Sequence, residues 1–192
     1  MQTLWDNRFA QRTQRMESSA IRELLKFAER PEVISFAGGM PDPGSFPAKK
    51  VAELLEKLLL DRGDLYLQYG PSSGTTEGIA AAINRMRRRD IITGADEVIM
   101  TSGSQQAIDL MTRIFIDPGD MILVEEPTFI GALGTFRNGK ARIEGVPMDH
   151  NGIIPEELVN ILANARKNGY RVKFMYLLPN FQNPTGLTMS VQ

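Results

Sequence analysis

From about Gly70 onward, segments with helical periodicity alternate with short apolar runs, and this alternation restricts the possible folds more than any other feature of the chain. Helices are expected near Thr76–Arg89, Gln105–Phe115, Thr128–Arg137 and Pro155–Lys167, where apolar residues recur at spacings of three and four. Between them lie the strand-like runs Val98–Thr101, Met121–Val124, Ala141–Val146 and Val172–Leu178. Parallel strands need long crossovers and become buried on both faces, so the pattern predicts an α/β fold, a mostly parallel sheet covered by helices on both faces. The turn residues agree, because Asp117-Pro118-Gly119-Asp120, Arg137-Asn138-Gly139 and His150-Asn151-Gly152 all fall between elements.

The first third is organised differently. Ile21, Leu24, Leu25 and Ala28 share one helix face, Ser18 or Ser19 is placed to cap it, and Pro31 stops it. A short strand is expected at Val33–Phe36, then an ordered loop through Gly38–Pro47, which holds three glycines and three prolines. A second amphipathic helix puts Val51, Leu54, Leu55, Leu58 and Leu59 on one side. At the other end the chain stops at Gln192, just past a loop that follows a buried strand, with no closing helix; on that pattern it reads as truncated.

Charge and composition exclude several classes. With 22 basic and 23 acidic residues the net charge is -1, which gives no global field for nucleic acid or an anionic membrane. There is no cysteine and a single histidine, His150, so neither a disulfide framework nor a Cys/His metal cluster is available. Apolar stretches such as Phe174–Leu178 are too short to cross a bilayer, and the start lacks a signal-peptide apolar region, so a cytoplasmic protein is expected.

Two segments carry candidate chemistry. In Glu97-Val-Ile-Met-Thr-Ser-Gly-Ser-Gln-Gln-Ala107 a strand runs through Gly103 into a helix, a geometry that suits a phosphate: glycine permits close approach, helix-start N–H groups point at an anion, and the Ser104 hydroxyl adds a donor. Taken alone, Ser102 or Ser104 reads as a simple helix cap in preference to a phosphate site. The second, Leu177-Leu-Pro-Asn-Phe-Gln-Asn-Pro-Thr-Gly186, packs Asn, Pro and Gly into one turn after a strand. Both turns follow strands, which predicts that they share the carboxyl rim of the sheet, where α/β proteins bind ligands.

These segments belong to a longer series: SSAIRELLK at 18–26, ISFAGGMPDPGSFP at 34–47, LQYGPSSGTTEGI at 67–79, TSGSQQAIDL at 101–110, EEPTF at 125–129 and FQNPTG at 181–186. In this order and spacing they resemble the N-terminal part of fold-type I pyridoxal-phosphate-dependent aminotransferases, in the branch of the 2-aminoadipate and kynurenine aminotransferases. The resemblance implies pyridoxal 5'-phosphate as cofactor, α-amino acid and 2-oxo acid substrates, a homodimer when full length, and neither nucleic acid nor membrane as partner. It divides the chain into an arm, helix and substrate-side loop at 1–47 and an incomplete cofactor-binding domain at 48–192.

The same resemblance assigns roles. Gly103, Ser104 and Gln105 would hold the cofactor phosphate, Phe129 would stack on the pyridine ring where many relatives have tyrosine, and Asn183 would donate to the phenolic oxygen, with Asn183–Pro184 a candidate cis bond. Tyr69 would reach the phosphate of a partner subunit. Gly39 and Arg22 would lie on the substrate side, Arg22 facing a distal carboxylate, and Asn183 would border the substrate too. The family's serine-x-x-lysine, aspartate-x-x-tyrosine and late carboxylate-clamping arginine do not occur, and none of the seven lysines, Lys26, Lys49, Lys50, Lys57, Lys140, Lys167 and Lys173, has the context of the Schiff-base lysine. The chain alone is therefore expected to be inactive. Alternatives are a same-fold lyase or decarboxylase, a non-catalytic cofactor-binding fragment, and the aminotransferase-like domain of a transcription regulator.

Overall fold

The computed structural model of the chain describes residues 8–10, 13, 32–34 and 41–190. They divide into a compact unit spanning Met40–Ser104 and another made of the residues before it together with those from Gln105 onward.

The Met40–Ser104 unit is helical. The Asp42 carboxylate accepts the Gly44 N–H at 3.0 Å and holds a single 3-10 turn, Pro43–Ser45, inside the segment expected to be loop. Helix α1, Ala48–Tyr66, is interrupted at Arg62 (φ −145°, ψ 38°), and α2 covers Thr76–Arg87. The Thr75 hydroxyl caps α2 by accepting the Gly78 N–H at 3.1 Å, while Glu77 in the first turn and Arg85 and Arg87 in the last complement the helix dipole. Neither helix buries a residue. Arg85, Arg87, Arg88 and Arg89 are exposed, as a solvated helix face should be.

Two expected strands are absent from the described residues. Val98 has extended backbone angles (φ −122°, ψ 130°), but no neighbouring chain pairs with Val98–Thr101; Met100 instead donates its N–H to Ser73 O at 2.8 Å. Extended sequence becomes strand only beside a partner that satisfies its backbone groups. Val33 and Ile34 are likewise outside any strand and exposed, while Ser35, Phe36 and the helix expected around Ile21–Ala28 lie outside the described residues.

The second unit contains α3 (Ser104–Phe115), β1 (Met121–Glu126), α4 (Ile130–Asn138), β2 (Arg142–Asp149), β3 (Gly152–Ile153), α5 (Pro155–Lys167) and β4 (Val172–Tyr176). Strand order is β3-β2-β1-β4, with β1 parallel to both β2 and β4 and only the two-residue β3 antiparallel. Helix α5 has the expected bounds. Helix α4 begins two residues later than expected, because Phe129 still has extended backbone angles (φ −64°, ψ 118°); the Glu126–Pro127 bond before it is cis. Leu177 and Leu178 leave β4 for the following loop.

Alternation along β1 divides the core. Ile122 and Val124 pack with Ile108 of α3 and with Ala132 and Phe136 of α4; Met121 and Leu123 pack with Val146 of β2 and Ala165 of α5. Helices therefore cover both faces, and Met121–Glu125 is fully buried as an inner parallel strand should be. Phe136 anchors the first face, with ring centroids 5.9 Å from Phe174 and 5.7 Å from Tyr176, both edge-on. At the amino ends of the strands the Asp120 carboxylate accepts the Asp117 N–H at 2.9 Å and pairs with Lys173 at 3.2 Å, which holds its pKa below the usual carboxylate value.

Candidate functional site

The carboxyl ends of β1 and β4 lie side by side, and the turn after each carries a candidate residue: Phe129 after β1, Asn183 after β4. Phe129 is the residue preceding α4 (φ −64°, ψ 118°), and its ring folds back across Gly131. A Cβ added at Gly131 would stand 2.4 Å from Phe129 Cζ and 2.8 Å from Gln105 Oε1, so only glycine leaves space for both side chains. The Gln105 amide nitrogen donates to Thr135 Oγ1 at 2.7 Å and to Gly131 O at 3.3 Å, which pins the start of α3 to the first turns of α4. Gln105 thus has its side-chain nitrogen committed within the fold, and its backbone N–H is what remains for an anion at the helix start.

Gly103 and Ser104 lead directly into Gln105. Gly103 adopts φ +79°, which favours glycine, and Ser104 is the first residue of α3. No strand precedes this turn, so the expected reason for its rim position fails; within the sheet unit, Gln105 is brought to the α4 end of the rim by the bonds to Gly131 and Thr135 instead. Tyr69 is fully exposed in the other unit. Gly39 and Arg22 lie outside the described residues. His150 sits in the β2–β3 turn, exposed.

The loop after β4 is highly organised. Gln182 N–H bonds to Leu187 O at 2.8 Å, Met189 N–H to Pro179 O at 2.8 Å, and Asn183–Pro184 is cis. The Asn183 side chain is exposed, but its neighbour Gln182 is buried and reaches β1: its amide nitrogen donates to Glu125 Oε2 at 3.1 Å and to Pro127 O at 2.8 Å. Glu125, fully buried, also accepts the Leu178 N–H at 3.1 Å. Sequence reasoning placed EEPTF and FQNPTG among the motifs but gave no role to Glu125, Gln182, Gly131 or Thr135. A carboxylate ending an otherwise apolar strand was the available signal for Glu125.

Within the sheet unit the donor set suits a planar, anionic, ring-bearing ligand: the first turn of α3 at Gln105, an aromatic face at Phe129, an exposed amide at Asn183, and the buried Thr128 Oγ1, which has no hydrogen-bond partner among the described residues. A neighbouring cavity of ≈ 580 Å³ between β1, β2 and α4 is lined by Pro127, Thr128, Leu133 and Arg137, but by neither Gln105 nor Asn183. Among the described residues no group of His, Asp and Glu could hold a metal ion, and no helix is long and apolar enough to cross a membrane.

The sequence profile described as "Aminotransferase class I and II" matches residues 31–192. The chain belongs to that family. Among individual class I and II proteins, it is 40% identical to an aromatic-amino-acid aminotransferase of Thermococcus litoralis, over 97% of this chain and 45% of that one. It is 38% identical to a 2-aminoadipate transaminase of Thermus thermophilus, over 95% of this chain and 43% of that one. A crystal structure of the Pyrococcus horikoshii kynurenine aminotransferase in complex with PMP superposes with a TM-score of 0.89 at 36% identity, over 96% of this chain and 46% of that one. The chain thus spans less than half the length of these aminotransferases, and the fold expected from its sequence is theirs.

Proposed function

We propose that the whole protein is a pyridoxal-phosphate-dependent aminotransferase that moves an amino group between an α-amino acid and a 2-oxo acid, and that this chain supplies part of its cofactor site. The observation that carries the reading is the shared rim: the aromatic face of Phe129 and the exposed amide of Asn183 stand in the turns that follow the adjacent parallel strands β1 and β4, and Gln182 ties the two turns together by donating to Pro127 O. Family membership points the same way. When bound, the cofactor supplies a carbonyl carbon for the amino group and a conjugated pyridine that accepts an electron pair.

Within that enzyme this chain's residues bind and orient. Gly103, Ser104 and Gln105 receive the phosphate, chiefly through backbone N–H groups at the start of α3 and the Ser104 hydroxyl. Phe129 holds the ring by stacking, and Asn183 donates to the phenolic oxygen and borders the substrate. Gly39 and Arg22 serve the substrate side. Tyr69 completes the phosphate site of a partner subunit in a homodimer, a role compatible with its full exposure. Residues 48–192 contribute to the cofactor-binding domain and 1–47 form the arm, helix and substrate-side loop. The proposed enzyme is cytoplasmic and has no nucleic-acid partner, the latter supported by its near-neutral net charge.

The test is binding. Pyridoxamine 5'-phosphate, which carries no aldehyde to react with stray lysines, should bind the purified 192-residue chain saturably, and Phe129→Ala or Asn183→Ala should weaken it about tenfold, the loss of one good stacking or hydrogen-bonding contact. Transamination by the chain alone should stay at the cofactor's own background rate. Binding that is non-saturable, or indifferent to both substitutions, sinks the reading.

A further inference from the structure

The carboxylate of Glu125 lies at the end of β1 with no exposed surface, where an uncompensated charge would be strongly disfavoured. Its two oxygens are both bonded, Oε1 to the Leu178 N–H and Oε2 to the Gln182 amide nitrogen. Gln182, 2% exposed, is fully saturated: its nitrogen donates to Glu125 and to Pro127 O, while its Oε1 accepts the Thr185 N–H at 2.9 Å and the Thr185 hydroxyl at 2.7 Å. That uses both donors and both lone pairs of one amide.

This node touches four places: the end of β1, the Pro127 turn that leads to Phe129, the exit of β4 at Leu178, and Thr185 on the far side of Asn183. Asn183 is therefore gripped from both flanks, by Gln182 before it and Thr185 after it, while its own side chain remains exposed. Core filling alone would not require a charged group to bridge two rim turns, and an apolar pair would fill the same space without desolvating a carboxylate.

We infer that Glu125 and Gln182 are positioning residues of the cofactor site. Without touching the ligand, they fix the offset between the Phe129 stacking face and the Asn183 amide, so that the two groups meet one ring together. The inference rests on the cofactor reading given above, and it concerns residues to which that reading assigns no contact.

The experiment is a double-mutant cycle on the intact 192-residue chain, with pyridoxamine 5'-phosphate as the probe and two readouts: its dissociation constant, and the pH titration of its phenol followed by absorbance in the bound state. Gln182→Glu keeps the shape but removes both donors and sets a second carboxylate against Glu125. It should weaken binding roughly tenfold, the worth of the one hydrogen bond from Asn183 to the probe that is misplaced. It should also move the bound phenol titration upward toward that of the free probe, because a donor to the ionised oxygen has been misplaced. In an Asn183→Ala background the same change should produce no further shift of the titration, since the effect acts through Asn183. Glu125→Gln, which keeps one acceptor oxygen, should show the same pattern with a smaller shift, and it carries the comparison if Gln182→Glu loses its fold by circular dichroism. Equal shifts in both backgrounds, or wild-type binding and titration in both variants, overturn the inference while leaving the cofactor reading intact. Failure of the wild-type chain to bind the probe overturns both.

Discussion

Strand β1 and helix α1 are both leucine-, isoleucine- or valine-rich, yet Met121–Glu125 is wholly buried while α1 buries nothing along 19 residues. Helix α1 satisfies its backbone internally, so its hydrogen bonds need no neighbouring strand, and Leu54, Leu55, Leu58 and Leu59 are each more than 40% exposed. A strand cannot do this. It exists only where neighbours complete its hydrogen bonds, and the packing that surrounds a central strand follows from that requirement. Among the described residues burial thus concentrates on the paired strands and on α3, α4 and α5, the helices that pack against them, and not on α1.

The contrast can be broken by substitution. The largest effect is expected from Phe136→Ala, which empties the centre of the α4 face and should cost about 3–5 kcal/mol in urea denaturation followed by circular dichroism; a cost no greater than for Leu58→Ala in α1 would end the distinction. Next comes Gly131→Ala. Its Cβ would stand 2.4 Å from Phe129 Cζ, so a strain of roughly 1–3 kcal/mol and displacement of the Phe129 ring are expected, the latter read as weakened binding of pyridoxamine 5'-phosphate. Gly63→Ala in α1, with nothing within 4 Å, should be neutral or slightly stabilising by the same denaturation measurement.

A smaller effect separates the units by acidity. Asp120 and Glu97 both hold pKa values below the carboxylate norm, Asp120 chiefly through the Asp117 N–H with help from Lys173 and Arg171, and Glu97 through the Gly94 N–H and the Thr93 hydroxyl. A depressed folded-state pKa contributes stability that is present above the ordinary carboxylate value and lost as pH falls through the folded value. Asp120 bridges the turn before β1 to β4, whereas the partners of Glu97 lie within four residues. Asp120→Asn should therefore lower the urea midpoint of the sheet at neutral pH and flatten its acid limb, and Glu97→Gln should do neither. The smallest effect is assigned to Leu58→Ala, within about 0.5 kcal/mol of wild type, as for an ordinary surface change.

How much of this was legible in the sequence follows the same division. Periodicity gave α5 to the residue, α3 within one residue, and the cores of β1, β2 and β4, because buried parallel strands and their crossover helices have strong local signatures. The run Val98–Thr101 looked as strand-like as Met121–Val124, and its failure to pair is not a local property. At the rim, Phe129 and Asn183 stand in short motifs that the sequence displays, EEPTF and FQNPTG. The bonds of Gln182 to Glu125 and Pro127, 57 and 55 positions earlier, leave no such local mark, since no window of sequence spans that distance.

Saturation at Gln182 also restricts how this position can vary over time. Glutamate cannot donate, asparagine is a methylene too short, histidine lacks the second donor on one atom, and an apolar side chain would strand both Glu125 and Thr185. No single replacement preserves all four bonds. Position 182 can drift only if 125 drifts with it, so among diverging descendants of this chain the two sites should be inherited as a pair, and a lineage that changes one alone should carry a displaced Asn183.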